Sequence, residues 1–475
     1  MISFFRINDP YRLVFILVIL TLLRLPVFLG DMPLMIPEIG WMVAGEKLAA
    51  GSLLYVDLWD DLAPFSALVY WIIHELFGRS VFPYHIISFI LVFFQAFLFN
   101  SVLANTKTFN ETTFFPALIY VLLISLFMDF NTLSPVLMSI TFLLFALNNI
   151  FHHVDNKSWV GNLLNTGLYI SVASLFYMPC LLFIFPIILS YGLFTGTALR
   201  RYFLFLYGVL LPYLLVGMYF YWYDALDDFY TNFLYANIFN PGRKFIALSD
   251  FLAIATLPTL YLIFSFFKLF EATRYTSIQI RYQQIIFFML VTGAVSWIFV
   301  NKKLPYQLII FVPFAAFFLS HYFLLMQRKI FAESLFFVLL AYIFITSLGS
   351  VYQVIVPSYI NYESLMVKDA PYDALVKDKK ILVLGDNLQY YKNASLATPY
   401  LNWNLAKFHF DDPFYYDNLT SIFANFYKDL PEVIIDENGA FKKVIGSIPS
   451  LEIKYEENES SNIFILKSEN LRSNK

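Results

Sequence analysis

The first 356 residues are dominated by apolar runs that are long enough to cross a membrane as helices. A helix needs about 20 residues to span the hydrocarbon core of a bilayer. Because only 14% of all residues are charged, well below the share in ordinary soluble domains, the sequence predicts a polytopic α-helical membrane protein. We predict eleven spans, at 11–29, 82–104, 113–129, 132–151, 162–178, 180–198, 202–222, 250–270, 284–300, 305–325 and 331–356.

The density of charge changes near Pro357. Residues 357–475 carry 30 charged side chains, whereas residues 1–356 carry only 35. We therefore predict a transmembrane domain over 1–356 and a water-exposed domain over 357–475. Within the second, KILVLGDN and PEVIID are strand-like, and EIKYEENESSNIFILKS is typical of a hairpin, so we expect a small α/β domain.

Lysine and arginine in short loops indicate the orientation. With a cytoplasmic N-terminus, eleven of them lie inside and six outside. Eleven spans then place the C-terminal domain outside the cell membrane. The Phe-, Ile-, Asn-, Lys- and Tyr-rich usage suggests a bacterium, so we expect a multi-pass protein of the inner membrane with a periplasmic C-terminal domain. Membrane lipids are expected partners, and a net charge of -3 argues against nucleic acid.

The loop 30–81, on the predicted outer face, is long and acidic. Pro37 is suited to open a helix that Gly51 ends, and Pro64 a second one that Gly78 ends. Both helices are rich in aromatic residues and suited to the membrane interface. Burying carboxylates against a membrane surface is energetically costly, so we expect these carboxylates to have a function. The loop carries Asp31, Glu38, Glu46, Asp57, Asp60, Asp61 and Glu75.

Two basic pairs also lie on the predicted outer face, against the inside bias. Lys302 and Lys303 follow the end of a span, and Arg243 and Lys244 form the second pair. Basic residues at headgroup depth attract phosphate. The alternative is that they only snorkel at helix ends. Carboxylates and cations on one face together indicate chemistry on a lipid-linked phosphate.

Several motifs follow one another in a recognisable order. They are Arg24 late in the first span, Gly51, Tyr55 and Asp57 in G-x-x-x-Y-x-D, Asp61 and Pro64 in an Asp-x-x-Pro turn, and LVYWIIHELFGRS. This order resembles the N-terminal third of the GT-C superfamily glycosyltransferases, which include protein O-mannosyltransferases and lipid A aminoarabinose transferases. NKKLPYQL, which contains Tyr306, is similar to the family's basic loop. The C-terminal residues resemble the small periplasmic domain of some members.

The resemblance implies an inverting glycosyltransferase whose donor is a sugar on polyprenyl phosphate and whose acceptor is a glycan, a lipid or a protein. A carboxylate of the first outer loop would take a proton from the acceptor hydroxyl. Basic residues near the membrane would stabilise the departing phosphate. Lys302, Lys303 and Arg243 are the predicted substrate-binding residues of this kind. Tyr306, which follows the two lysines, is predicted to bind substrate as well.

The predicted catalytic residues are Asp31 and Glu38. Many family members have an Asp-Glu pair at the start of the first outer loop, but here the dipeptide is Pro37-Glu38. Either Glu38 or Asp31 has taken the role of the base, or the protein does not transfer sugar. The alternative to a catalytic role for Glu38 is that it is only a charge at a helix N-terminus. The alternative for Asp31 is that it is only a loop residue at the membrane surface.

Four further residues are predicted to bind substrate. Asp57 and Asp61, with the neighbouring Asp60, could position the acceptor or a divalent cation, or could form only a turn. Asp129 matches an acidic position near the family's active site, and its alternative is a helix cap. Arg24 is either a lipid-phosphate contact or, as we prefer, a partner of a loop carboxylate. No motif requires a metal or another cofactor.

Two other classes of function stay open. A catalytically silent relative that serves as a membrane subunit or scaffold would explain the missing aspartate. A transporter or flippase for a lipid-linked glycan is less favoured, because transporters place ionisable residues in mid-span, and here these residues gather at the predicted outer face.

Overall fold

The fold was analysed in a computed structural model. It describes residues 1–30, 32–155, 160–196, 198–239, 245–271, 275–300, 302–354, 360–368, 372–412, 415–458 and 462–467. Asp31, Arg243 and the predicted boundary at Pro357 lie outside these residues. Packing divides the chain into two compact units. The helical unit comprises Met1–Pro33, Phe82–Met218 and Lys244–Ser364, and the mixed unit comprises Leu34–Val81, Tyr219–Arg243 and Leu365–Lys475.

Long apolar helices confirm the prediction of a polytopic helical membrane protein. Among the described residues, eight are long and apolar enough to cross a membrane: Tyr11–Phe28, Phe82–Asn105, Pro135–Val154, Leu199–Trp222, Leu248–Glu271, Ser277–Phe299, Pro305–Leu325 and Lys329–Val351. The other three predicted spans, 113–129, 162–178 and 180–198, contain shorter helices. These are Phe115–Leu123, Val160–Phe176 and Ile184–Phe194. A short helix, Ile2–Phe5, precedes the first span.

Two of these helices approach each other backbone to backbone. A Cβ atom added to Gly167 would lie 2.2 Å from the carbonyl oxygen of Phe205, and one added to Gly208 would lie 2.3 Å from that of Leu164. Small residues at such crossings are typical of membrane helices, whose association depends on close packing. The glycines therefore fix the contact between Val160–Phe176 and Leu199–Trp222.

Within the described part of the helical unit, short 3₁₀ segments interrupt the apolar runs at Met128–Asn131, Met178–Phe183 and Pro305–Phe311. A membrane protein tolerates irregular backbone only where protein groups or a water-filled cavity satisfy it. All four residues of Met128–Asn131 are buried. The groups that satisfy this segment therefore come from the protein itself.

The mixed unit contains the α/β fold that the C-terminal residues predict. Its strands are β1 (Lys380–Leu384), β2 (Ser395–Leu396), β3 (Val433–Asp436), β4 (Tyr455–Glu457) and β5 (Ile463–Leu466). Their order is β2-β1-β3-β5-β4. β1 is parallel to β2 and β3, whereas β5 is antiparallel to β3 and β4. The helical segments that the structure describes after residue 360 are Glu363–Leu365, Asp373–Val376, Leu388–Lys392, Trp403–Asp411, Tyr416–Lys428, Ala440–Ile445 and Pro449–Lys454.

The mixed unit also contains the two helices predicted in the loop 30–81. They span Ile36–Ala49 and Pro64–Phe77. Each is followed by a glycine with positive φ, +88° at Gly51 and +64° at Gly78, a conformation that residues with a Cβ rarely adopt. The helices pack closely, because a Cβ atom on Gly45 would lie 2.6 Å from the carbonyl oxygen of Tyr70. Three short segments, Leu226–Phe229, the π-helical Tyr230–Tyr235 and Ala236–Phe239, complete this unit.

Candidate active site

Asp129 organises a buried polar cluster in the helical unit. Its side chain is fully buried, and its Oδ2 accepts a hydrogen bond of 2.8 Å from the backbone N–H of Tyr306. Tyr306 lies in the first turn of the Pro305–Phe311 segment, where backbone N–H groups have no partner within the helix. The cap of the helix that follows Asp129 is Ser134, whose Oγ accepts a hydrogen bond of 3.2 Å from the N–H of Leu137. Asp129 therefore caps a distant segment and not the next helix.

Arg24 holds the same turn from another helix. It is fully buried, and its Nη1 donates hydrogen bonds of 2.8 Å to Ser88 Oγ and to the carbonyl oxygen of Asn131. Its Nη2 donates a bond of 3.4 Å to the carbonyl oxygen of Phe130. Within the described residues all these partners are neutral, so the preferred pairing with a loop carboxylate is not found there. The guanidinium instead donates to carbonyl groups of the turn that lack partners within a helix.

A third helix also contacts this turn. The backbone N–H of Met128 donates a hydrogen bond of 3.1 Å to Ser350 Oγ, in helix Lys329–Val351. Together with Arg24, in helix Tyr11–Phe28, and with Tyr306, this bond fixes the turn in place. Sequence reasoning missed Ser88 and Ser350, because a serine in an apolar run is the only signal that either position offers.

Lys303 lies at a helix end, as its alternative interpretation predicted. Its Nζ donates hydrogen bonds to the carbonyl oxygens of Trp297 and Ile298, the latter at 3.1 Å, and lies 4.6 Å from the centre of the Trp297 ring. Cations commonly satisfy the last carbonyl groups of a helix in this way. Lys302 is half-buried, and its carbonyl oxygen accepts a bond of 2.6 Å from Gln307 Nε2. The predicted phosphate contacts of both lysines stay predictions.

Glu38 lies in the mixed unit and caps its own helix. The side chain is buried, and Oε2 accepts a hydrogen bond of 3.0 Å from the backbone N–H of Met35, the residue before helix Ile36–Ala49. A carboxylate is stabilised at this position by the helix dipole. The alternative role of Glu38 is therefore present in the structure, whereas its role as a base stays a prediction.

Asp57 is engaged within the same unit. Its Oδ2 accepts a hydrogen bond of 2.9 Å from the N–H of Leu53, and its Oδ1 forms an ion pair of 2.5 Å with Lys428 Nζ. Asp61 uses its backbone, since its N–H donates a bond of 2.8 Å to Asp60 Oδ1. No three His, Cys, Asp or Glu side chains of the described part of the chain gather closely enough to hold a metal ion. The divalent cation considered for this loop stays a prediction.

Tyr55 anchors the loop that carries these carboxylates. It is buried with a φ of +73°, an uncommon conformation for a residue other than glycine. Its hydroxyl donates a hydrogen bond of 2.7 Å to the carbonyl oxygen of Leu62, and its own carbonyl oxygen accepts one of 2.9 Å from Asn232 Nδ2. Asn237 Nδ2 bonds the carbonyl oxygen of Asp61 at 2.8 Å. Sequence reasoning did not identify either asparagine, because both are distant in the chain.

The predicted site residues thus fall into two groups. Arg24, Asp129 and Tyr306 meet around one turn of the helical unit. Glu38, Asp57 and Asp61 belong to the mixed unit, whereas Asp31 and Arg243 lie outside the described residues.

Comparison with known proteins gives a match at the level of structure. No protein-family model matches the sequence, and no curated protein matches it either. The chain is similar to the crystal structure of ArnT from Cupriavidus metallidurans bound to undecaprenyl phosphate, with a TM-score of 0.60 and 12% identity, over 96% of this chain and 98% of that chain. The crystal structure of ArnT from Cupriavidus metallidurans in the apo state gives a TM-score of 0.54 and 12% identity, over 94% of this chain and 97% of that chain. The chain therefore shares the fold of the two ArnT structures, which is the fold that the resemblance of its motifs implied.

Proposed function

We propose that this protein is an inverting glycosyltransferase that takes its sugar from a polyprenyl-phosphate carrier at the outer face of a bacterial inner membrane. The observation that carries this proposal is the similarity, over 96% of the chain, to an ArnT structure that holds undecaprenyl phosphate. The N-terminus would be cytoplasmic and the C-terminal domain periplasmic. The acceptor would be a glycan, a lipid or a protein.

A positioning role for the buried cluster around Asp129 is part of this proposal. Placing a guanidinium and a carboxylate among apolar helices costs several kcal/mol unless each is well paired. Arg24 has only neutral partners within the described residues. Arg24 and Asp129 are both fully buried, so we assign them positioning roles and not direct contact with substrate.

The proposed reaction transfers the sugar in one step. Asp31 or Glu38 accepts the proton of an acceptor hydroxyl, and the oxygen forms a bond to the anomeric carbon of the donor. The bond between that carbon and the phosphate oxygen breaks on the opposite face, and its electron pair leaves with the polyprenyl phosphate. Lys302 and Lys303 supply positive charge near this leaving group. No step is assigned to a cation.

A catalytically silent membrane subunit is the second candidate, and one observation favours it. The carboxylate of Glu38 is already used to cap a helix, which would leave Asp31 as the remaining base. A lipid-linked glycan transporter has no comparable support.

The test uses the full-length protein in lipid nanodiscs with a panel of polyprenyl-phosphate sugars. We expect at least one donor to be consumed, with release of polyprenyl phosphate. Binding of undecaprenyl phosphate without turnover of any donor, across a panel of acceptors, would favour the silent subunit. The absence of both binding and turnover would contradict the proposal.

A further inference from the structure

A cavity in the mixed unit is not used by the proposed transfer. Its volume is about 470 Å³, within the range of small-molecule sites. Its lining includes two apolar residues, Leu34 and Met42, and three cationic residues, Arg79, Lys377 and Lys392, which we call the cationic wall. A cavity lined by both kinds of residue suits a ligand that is anionic at one end.

Backbone pairing brings the two lysines of this wall together. The N–H of Asp378, next to Lys377, donates a hydrogen bond of 2.8 Å to the carbonyl oxygen of Asn393, next to Lys392. The parallel pairing of β1 and β2 continues from this bond. An anionic group bound at this place can therefore interact with both side chains.

Arg79 adds a third cation whose orientation is fixed. Its Nη1 donates hydrogen bonds of 2.8 Å to Glu46 Oε2 and to the carbonyl oxygen of Ala394, and its Nη2 donates to the carbonyl oxygen of Tyr391. Burial lowers the pKa of Arg79, and Glu46 opposes this shift. Positive charge held in this way is already oriented when a ligand arrives.

Carboxylates lie beside the cationic residues of this cavity. Asp378 lines it together with the three cations, and Glu46 pairs with Arg79. Lys377, Asp378 and Asn393 are exposed, so the cavity can be reached from solvent. Asn393 and Ser395 line it as well and can donate hydrogen bonds to an oxyanion.

We infer that this cavity binds a phosphate ester, with its anionic group at Lys377, Lys392 and Arg79 and its organic part against Leu34 and Met42. Such an ester could be a soluble sugar phosphate or a phospholipid headgroup. In the sequence, Val81 of the cavity directly precedes the apolar run 82–104, which is why a lipid source is tested beside the soluble one.

The test measures how fast each lysine is acetylated in the full-length protein, read by mass spectrometry. One arm adds glucose 6-phosphate in neutral-lipid nanodiscs, and the other replaces part of the neutral lipid by phosphatidylglycerol. We expect Lys377 and Lys392 to react about tenfold more slowly in at least one arm, as for a well-occupied site. Lys442 and Lys443, exposed lysines of the same unit, should be unaffected.

A pair of double variants completes the test. Lys377→Gln with Lys392→Gln should weaken the protecting ligand about tenfold or more, whereas Lys442→Gln with Lys443→Gln, which removes the same charge, should leave its affinity unchanged. Protection by the sugar phosphate alone would assign a soluble ligand, and protection by phosphatidylglycerol alone a headgroup. Protection in neither arm, equal protection of all four lysines, or equal effects of both double variants would overturn the inference.

Discussion

The carboxylate of Asp129 and the backbone N–H of Tyr306 are joined by a hydrogen bond of 2.8 Å across 177 residues of sequence. Each residue lies in a 3₁₀ segment, Met128–Asn131 or Pro305–Phe311. A buried backbone N–H group that loses its acceptor costs about 1–3 kcal/mol. This bond therefore couples two irregular segments that no continuous helix connects.

Removal of the Asp129 carboxylate should uncouple these two segments. Asp129→Ala leaves the N–H of Tyr306 buried without a partner, at a cost of about 1–3 kcal/mol, so we expect a lower thermal midpoint and a loss of transfer activity. Asp129→Asn keeps an oxygen that can accept the bond. Its thermal midpoint and its activity should therefore lie between those of the native protein and those of Asp129→Ala. Thermal unfolding in detergent and the donor assay measure both effects. A native midpoint and native turnover in Asp129→Ala would show that the bond does not organise the site.

Arg24 allows electrostatic and structural roles to be separated. Arg24→Met leaves Ser88 Oγ and two buried carbonyl oxygens without their donor, at about 1–3 kcal/mol each, but also removes a buried charge whose desolvation costs several kcal/mol. These effects oppose each other, so we expect the net change in stability to be smaller than either of them. Binding of undecaprenyl phosphate should weaken about tenfold or more, because positive potential is lost. Native affinity in a folded Arg24→Met protein would contradict this role.

Glu38→Gln tests the base without removing the helix cap. The amide oxygen of glutamine can still accept the hydrogen bond that Met35 donates, so the fold should be retained. If Glu38 is the base, the rate of transfer should fall about 100-fold or more, with little change in donor binding. Asp31→Asn is the matched variant. Loss of turnover in only one of them identifies the base, and native turnover in both would exclude both residues from that role.

Much of the fold follows from local sequence signals. Pro37 and Gly51 bracket one helix and Pro64 and Gly78 the next, and each signal acts within a few residues. The apolar runs between charged residues likewise identify β1 and β3. Such features depend on backbone conformations that the residues themselves prefer.

The partners of the candidate site residues could not be predicted in the same way. Arg24 reaches Ser88 and two carbonyl groups, and Asp57 reaches Lys428, 371 residues away. The sequence places charges on an element, but it does not say which distant segment meets them. The 3₁₀ conformation itself was not predicted, although Met128–Asn131 and Met178–Phe183 lie where one predicted span ends and the next begins.

Two glycines of one helix provide a matched test of the helix pair in the mixed unit. A Cβ atom on Gly45 would meet the carbonyl oxygen of Tyr70 at 2.6 Å, whereas one on Gly40 would lie 3.4 Å from Leu388 Cδ1. Alanine favours a helix by about 1 kcal/mol over glycine. We therefore expect Gly40→Ala to be neutral or stabilising and Gly45→Ala to destabilise by about 1–3 kcal/mol. Equal thermal midpoints of the two variants would contradict the close approach.

Asp429 should make the stability of the mixed unit depend on pH. Burial alone would raise the pKa of Asp429, but hydrogen bonds and ion pairs with Lys380 and Lys47, at 2.9 and 2.5 Å, outweigh it, so that the pKa is below its ordinary value of 3.8. A lowered pKa in the folded state stabilises the protein above pH 3.8, and this contribution is lost as the pH falls through the folded-state value.

Asp429→Asn should therefore lower the thermal midpoint at pH 7, since Lys47, only 14% exposed, loses its counter-charge, at a cost of about 1–3 kcal/mol. The difference between native and variant proteins should be constant from pH 7 to about pH 5 and shrink below about pH 4. Asp417→Asn, at an exposed position, should show no such difference. If the difference in thermal midpoint between the native and Asp429→Asn proteins does not become smaller in acid, the two lysines do not lower the pKa of Asp429. Their bonds to Asp429 would then contribute to stability only as neutral contacts do.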